Sequence, residues 1–435
     1  MTYEEALRYL DSFVNYERRD GYDYKSSFRL DRMLRLASGL GNPQKKYRSV
    51  HVAGTKGKGS TSAIVHSILK EAGYKAGLYT SPHLASFRER INIGGELISA
   101  EDVGRILERI KSVVETMKDD IPTFFEVYTA LAYLYFKEKK VDLAVFEVGL
   151  GGRLDATNIL EPLVSVITPI SYEHTDRLGD TLTQIAGEKA GIIKTGSVCV
   201  VAPQTEEALS VIIKVCNDKG AKAILVGKDI KFKELDFNDS IETFAISGLF
   251  NNYPRLEMSL LGAHQVANAA TAIGAVEALH FSSIDINKGS VSSGVRNARW
   301  PGRLEVISKR PYIIVDGAQN RASANALVKA VERAFKYNRL ILVLGVSKDK
   351  DIKGILEELV PAADKIILTK SKVPERAALP AKIKELMSPG DKDIYLTNTV
   401  EEAIARARSF ADPEDLILIT GSLFVVGEAM QASYA

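Results

Sequence analysis

The sequence predicts an α/β protein: a large P-loop-type domain around a mostly parallel sheet, followed by a smaller Rossmann-like α/β domain. Three observations carry that prediction. A β-prone run, Tyr47–Ala53, leads into the Gly-rich turn GTKGKGS (Gly54–Ser60) and then into a helical stretch, Thr61–Ala72. Strand-like and helix-like segments then alternate as far as Val201, the pattern of a parallel sheet covered on both faces. A second, shorter series of the same kind begins after Trp300-Pro301-Gly302, where Pro and Gly set a bend. The expected domains are therefore 1–297 and 298–435.

Taken in order, the chain opens on helix. Residues 2–14 carry Leu7, Leu10 and Val14 at helical spacing, and Phe28–Leu40 repeats the pattern with Leu30, Met33, Leu34 and Leu36. Gly41-Asn42-Pro43 stops that second helix. Gly73 ends the helix that follows the Gly-rich turn. Ala76–Thr80 reads as strand, and Ala100–Met117 and Phe124–Lys137 as helices. Leu143–Val148 is an apolar strand with one acid near its end. Val164–Pro169 is the next strand, Thr181–Ala190 a helix and Ser197–Val201 a strand. Residues 221–260 read as a small antiparallel insert, and Ala267–Leu279 as a closely packing small-residue helix. Strands of the second series are expected at Tyr312–Val315, Leu340–Leu344, Lys365–Leu368, Ile394–Leu396 and Leu416–Ile419.

Composition narrows the function classes. The chain has 435 residues, enough for about three domains or two large ones. Lys plus Arg number 57 and Asp plus Glu 55, a net charge of +2, which argues against a protein that coats a polyanion. With 46% apolar and 26% charged residues it can bury a large core. Two cysteines make no disulfide framework, and six scattered histidines argue against a Cys/His zinc site. The N-terminus lacks the apolar core of a signal peptide, and no run of about 18 apolar residues appears. A cytoplasmic protein with no nucleic-acid partner and no membrane span is expected.

Gly54–Ser60 is the strongest local signal for chemistry. Glycines let backbone N–H groups close around phosphate oxygens, and the following helix adds the positive end of its dipole. Lys58 would neutralise charge between the outer phosphates. In the common phosphate-loop pattern Ser or Thr directly follows the Lys; here Gly59 intervenes before Ser60, so the match is to a variant. A plain Gly-rich turn is the alternative. Glu147 lies where ligands bind in open α/β sheets, at a strand's C-terminal end, and could hold magnesium; an exposed strand end is the alternative. His174, in ISYEHTDRLG, follows another strand end and is equally open between function and structure. Nothing in the sequence singles out Lys189. Arg303 and Asp316 lie beside the junction and fit either a phosphate clamp or an inter-domain salt bridge.

Ten segments in order resemble the folylpolyglutamate synthase/dihydrofolate synthase family, a branch of the Mur ligase superfamily. They are GTKGKGS, YTSPHLASFRERINIGG, FFEVYTALAY, FEVGLGGRLDATN, EHTDRLGDTLTQIAGEKAGIIK, LLGAHQVANAATA, WPGRLE, VDGAQN, LGVSKDKD and TGSLFVVGEA. The resemblance implies that Gly57, Lys58, Gly59 and Ser60 hold the ATP phosphates, and that Asn268, Arg303 and Asp316 hold ATP from across the cleft. It implies magnesium on Ser81, Glu147 and His174. It implies that Lys189 is carbamylated, which turns a cation into an anionic oxygen ligand. Lys58, Lys189 and His174 would carry the catalysis. Thr123, Phe124, Phe125, Glu126, Arg153, Leu154 and Asp155 match pterin-side contacts, as do Leu30, Asp31 and Arg32.

The implied reaction is ATP-driven joining of L-glutamate to dihydropteroate or to a reduced folate through an acyl phosphate, by a cytoplasmic monomer. Three departures stand out: Lys56 where the family more often has Asn, Gln319 in DGAQN where it has His, and Glu173 before His174 where Asp is commoner. An extra cation at Lys56 is expected to face the phosphates beside Lys58. Two other readings compete. A Mur-type ligase acting on a cell-wall nucleotide precursor would carry an N-terminal UDP-binding domain, and about 53 residues before the loop are too few for one. A P-loop ATPase without ligase activity would need no second Rossmann-like domain.

Overall fold

The computed structural model describes residues 1–17, 22–387 and 392–434. The large sheet contains β1 (Arg48–Ala53), β2 (Ala76–Tyr79), β3 (Ile91–Ile93), β4 (Glu96–Leu97), β5 (Leu143–Glu147), β6 (Val164–Ile167), β7 (Val198–Val201) and β8 (Lys222–Leu225). Their spatial order is β4-β3-β2-β5-β1-β6-β7-β8. From β2 across to β8 every pairing is parallel; β3 and β4 add an antiparallel edge.

Alternation of side chains along each strand sends successive residues to opposite faces. Val50, Val52 and Val145 accordingly join one core with the helices Lys58–Glu71 and Ala263–Ala278. Ala144 and Phe146 join another with the helices Ala100–Val114 and Phe124–Glu138. Covered on both sides, the central strands read as almost unbroken apolar runs, and β5 is buried along its whole length.

A second sheet follows from β9 (Lys231–Phe237), β10 (Glu242–Ser247) and β11 (Asn252–Met258), all antiparallel. The third sheet contains β12 (Glu305–Lys309), β13 (Tyr312–Asp316), β14 (Leu340–Leu344), β15 (Lys365–Leu368), β16 (Asp393–Leu396) and β17 (Leu416–Thr420), in the order β12-β13-β17-β14-β15-β16. Only the β12–β13 pair is antiparallel.

Most expected elements form, with differences in extent; the small-residue helix, for example, begins at Ala263 rather than Ala267. The antiparallel insert is shorter than residues 221–260, because β8 completes the large sheet and only 231–258 pair antiparallel. The first helix stops at Asp11, and its start is a capping box between Thr2 and Glu5. The second spans Leu30–Gly39, so Phe28 lies outside it. The helix after the Gly-rich turn begins at Lys58, one turn before Thr61, since left-handed Gly57 already serves as its N-cap. Among the described residues no helix is long and apolar enough to cross a membrane.

Candidate active site

β1 lies between β5 and β6, with Val52 opposite Glu147 and Ala53 opposite Ile167. Three strand ends therefore open side by side at the point where the chain changes direction across the sheet, the place where open α/β sheets bind ligands. The loop after β1 is tied down by its neighbour: Thr55 and Lys56 both donate backbone N–H to the Pro169 carbonyl. Gly57 has φ +82, and a Cβ there would come 2.3 Å from Asn268 Oδ1. Only glycine satisfies both the turn and that close approach. Asn268 in turn donates Nδ2–H to Gln265 Oε1 at 3.0 Å. Gly59 lies against the Trp300 indole, and Ser60 is buried in the first turns of the helix.

Lys56 behaves differently from expectation. Its ammonium is 2.7 Å from Glu173 Oε1, so this cation is engaged by a carboxylate rather than offered to a ligand. The pair is strongly desolvated, and the two partners feel it differently. For Lys56 burial outweighs the carboxylate and lowers the pKa, whereas burial alone would raise that of Glu173, which the Lys56 ammonium holds down at about 2. Lys58 is the cation left to the loop.

Glu147 ends β5 and is buried, not an exposed strand end. Its Oε2 accepts the Ser81 backbone N–H at 3.2 Å. Burial pushes the carboxyl pKa up, and the Lys58 ammonium is the strongest opposing charge. A buried carboxylate with so little compensation is a position that a hard cation would satisfy. His174 is the left-handed N-cap of a short helix, Thr175–Leu178, and burial lowers its pKa to about 4. The ring is therefore neutral at pH 7 and able to donate a lone pair. Lys189, 5% exposed, donates Nζ–H to the Gly54 carbonyl at 2.8 Å, and burial lowers its pKa to about 7. Among the described residues no group of three or more His, Cys, Asp or Glu side chains gathers as a metal cage.

Across the junction, Asp316 accepts backbone N–H from Leu304 and Ala318, both at 2.8 Å. Burial raises its pKa while the Arg303 guanidinium opposes the shift. Arg303 donates to the Gly302 carbonyl at 3.0 Å.

A cavity of about 420 Å³ lies between the two large sheets. It brings Ser81 and His174 together with Arg32, Thr123, Phe124, Phe125, Glu126, Leu154 and Asp155. It does not include Leu30, Asp31 or Arg153. Leu30 packs against the core, Asp31 pairs with Arg29 on the surface, and Arg153 turns outward to Glu188. The phosphate loop, Asn268, Arg303 and Asp316 lie outside this lining as well. Much of this wall is already hydrogen-bonded internally. Arg32 Nε reaches both Glu126 oxygens at 3.0 and 2.8 Å, and Glu126 closes a capping box with Thr123. Asp155 is fully buried and accepts from Gly149, Leu150 and Thr157, a set that shapes the loop after β5.

Residues 52–276 match the Mur ligase middle domain, and residues 302–423 match the Mur ligase, glutamate ligase domain. A dihydrofolate synthase/folylpolyglutamate synthase from Bacillus subtilis is 37% identical over 408 residues, covering 92% of this chain and 93% of the relative. The chain belongs to the dihydrofolate synthase/folylpolyglutamate synthase family. It is an ATP-dependent ligase. A folylpolyglutamate synthase from Lacticaseibacillus casei is 32% identical over 436 residues, covering 99% of this chain and 98% of the relative. Among solved structures, Mycobacterium tuberculosis folylpolyglutamate synthase complexed with ADP superposes with a TM-score of 0.89 at 32% identity, covering 100% of this chain and 98% of the other. Escherichia coli FolC in complex with DHPP and ADP does so with a TM-score of 0.88 at 31% identity, covering 99% and 97%.

A further wall of the cavity comes from side chains outside the expected site residues. Gln319, Ser347, Lys350, Arg376 and Ser422 reach it from the C-terminal sheet. Lys350 and Ser422 fall inside the matched segments LGVSKDKD and TGSLFVVGEA, which was the available signal. Tyr16, Tyr22 and Phe28 line the opposite side as an aromatic group, with Arg177 over the Tyr22 ring at 4.3 Å. Their spacing carries no periodic signal, so only the fold assembles them.

Proposed function

We propose that this ligase joins L-glutamate to dihydropteroate, to reduced folates and their polyglutamates, or to both, through an acyl phosphate. One observation carries the reading: a single cavity is walled by the Ser81–His174 side of the large sheet, by the Arg32–Glu126 and Leu154–Asp155 wall, and by side chains of the C-terminal sheet. Bringing an acid and an amine together needs such a three-sided enclosure, and the nucleotide would be presented to it from the adjoining strand-end loop, whose residues do not line the cavity.

In the first step a carboxylate oxygen of the acceptor attacks the γ-phosphorus and the bond to the β-bridging oxygen breaks, releasing ADP. The glutamate amine then attacks the acyl carbon, phosphate leaves, and the nitrogen loses a proton. Gly57, Gly59 and Ser60 hold the phosphates by backbone N–H groups and hydroxyl, while Lys58 offsets charge on the transferring group. Asn268, Arg303 and Asp316 position the nucleotide from the other side of the loop. Arg32, Thr123, Phe124, Phe125, Glu126, Leu154 and Asp155 shape the pterin side; Leu30, Asp31 and Arg153 stand at its periphery. Enclosure keeps water from the acyl phosphate.

Magnesium is the metal this reading requires, held by Ser81, Glu147 and His174. Bound there it would neutralise charge on the phosphate oxygens. The underpaired Glu147 and the neutral His174 ring support the assignment. Carbamylation of Lys189 belongs to the same reading. An amine whose pKa burial lowers to about 7 has a substantial uncharged fraction near neutrality that can attack carbon dioxide, and a proton shed on reaction leaves an anionic carbamate oxygen as ligand. We assign the division at 297/298, a monomeric state and a cytoplasmic location to the same reading.

Purified protein with ATP and Mg²⁺ should release ADP only when L-glutamate and dihydropteroate or tetrahydrofolate are both present. ADP release that ignores omission of L-glutamate would sink the ligase chemistry proposed here. A ¹³C carbamate resonance on Lys189 in ¹³C-bicarbonate is expected; an unmodified amine in the active enzyme refutes that part.

A further inference from the structure

The loop that carries Ser81 continues into a turn clamped by one carboxylate. Glu89 accepts backbone N–H from Leu84 at 2.8 Å, Ala85 at 3.0 Å and Ser86 at 2.5 Å. Leu84 then leaves the large sheet's territory. Its side chain packs against the buried group of Val425, Val426 and Ala429 on the last helix, Leu423–Tyr434. In that helix Gly427 lies directly on the Leu84 backbone. A Cβ at Gly427 would come 2.0 Å from the Leu84 carbonyl oxygen and 2.6 Å from its carbon. A Cβ at the junction residue Gly302 would meet Val426 at 2.9 Å and Leu84 at 3.1 Å, so three segments converge on one point.

Glycine inside a helix ordinarily costs about 1 kcal/mol relative to alanine. Here the opposing atoms are backbone on both sides, a helix and a clamped turn, and neither yields by rotating a side chain. We propose that Gly427 is a positioning residue for the ligase reaction. Its missing side chain sets the seat of the C-terminal helix on the Ser81 loop. That seat fixes the distance between Ser81 and the residues the C-terminal sheet brings to the cavity, Gln319, Lys350 and Ser422 among them. Ser422 immediately precedes the helix and Glu428 follows Gly427, so a displaced helix moves both cavity-lining groups together.

The proposal rests on the ligase reading above, and its test separates the two. Wild type, Gly427→Ala and Leu84→Ala are compared for melting temperature, KM for ATP, kcat for ligation, and radius of gyration by small-angle scattering with a non-hydrolysable ATP analogue. For Gly427→Ala the expected result is kcat lower by about a hundredfold, as a misplacement near 1 Å can produce. KM for ATP rises by less than kcat falls, because the loop glycines Gly57 and Gly59 face Asn268 and Trp300 rather than Leu84 or Gly427, and the radius of gyration is larger. Leu84→Ala, which leaves both backbones intact and will fold if Gly427→Ala does not, should lower kcat several-fold with a smaller change in KM for ATP. A higher melting temperature with unchanged kcat in Gly427→Ala, the result of helix propensity alone, overturns the proposal, as does unchanged kcat in Leu84→Ala. If wild type forms no ligated product, the ligase reading falls, and the scattering arm still decides whether Gly427 sets the seat.

Discussion

The strand-end region around the Gly54–Ser60 loop and the cavity wall around Arg32 and Glu126 are built on opposite principles. In the cavity wall charged groups answer one another within the protein: Arg32 with Glu126, Arg90 with Glu17 at 2.8 and 2.7 Å, and Asp155 with the loop it holds. At the strand ends, Glu147 keeps one backbone donor, Lys189 donates to a loop carbonyl, and Lys58 acts on Glu147 only through its field. Satisfied groups stiffen the wall, whereas undercompensated ones gain most from an added charge.

Removing the metal should have the largest effect on this contrast. EDTA is expected to abolish ADP formation and added Mg²⁺ to restore it, with the melting temperature of the ligand-free protein unchanged; full activity in EDTA would leave Glu147 without its proposed partner. Next comes Arg32→Ala. The Arg32 and Glu126 side chains are 10% and 6% exposed, and leaving one such charge unpaired costs about 3–5 kcal/mol, read by urea unfolding. Were stability untouched and only KM for the pterin substrate raised, Arg32 would belong with the ligand-facing groups and the comparison would break.

Lys58→Ala should slow ligation by about 10²–10³ with the fold intact, the cost of losing one preorganised charge. Near-normal turnover would refute its phosphate role. Thr123→Ala should be mildest. Losing an N-cap costs about 1 kcal/mol, seen as a small drop in unfolding midpoint. A rise in KM out of proportion to that drop would show Thr123 touching substrate and sharpen where the wall ends.

Much of this was legible beforehand because it is local in sequence. The βα alternation, the phosphate loop and the acid at the end of β5 are all patterns within a dozen residues of chain. Lys189 was legible only through the family resemblance, not from any local pattern. Its burial and its bond to Gly54 join residues 135 apart, and a helical lysine looks the same whether or not another strand end lies above it. Lys56 shows the reverse case: an apparent ligand-facing cation is claimed by Glu173, 117 residues away. Asp155, which reads as a binding acid, spends its oxygens on backbone and hydroxyl donors nearby.

Sequence by itself determined the two α/β sheets, their order along the chain and the placing of glycine where the phosphate loop must turn. Apolar alternation and left-handed turns are properties of short segments, so these followed without knowing the fold. Tertiary structure decided which charges remain available, because burial and pairing depend on neighbours that arrive from distant strands. It also decided where Gly427 meets Leu84, and thus how closely the two halves of the cavity approach.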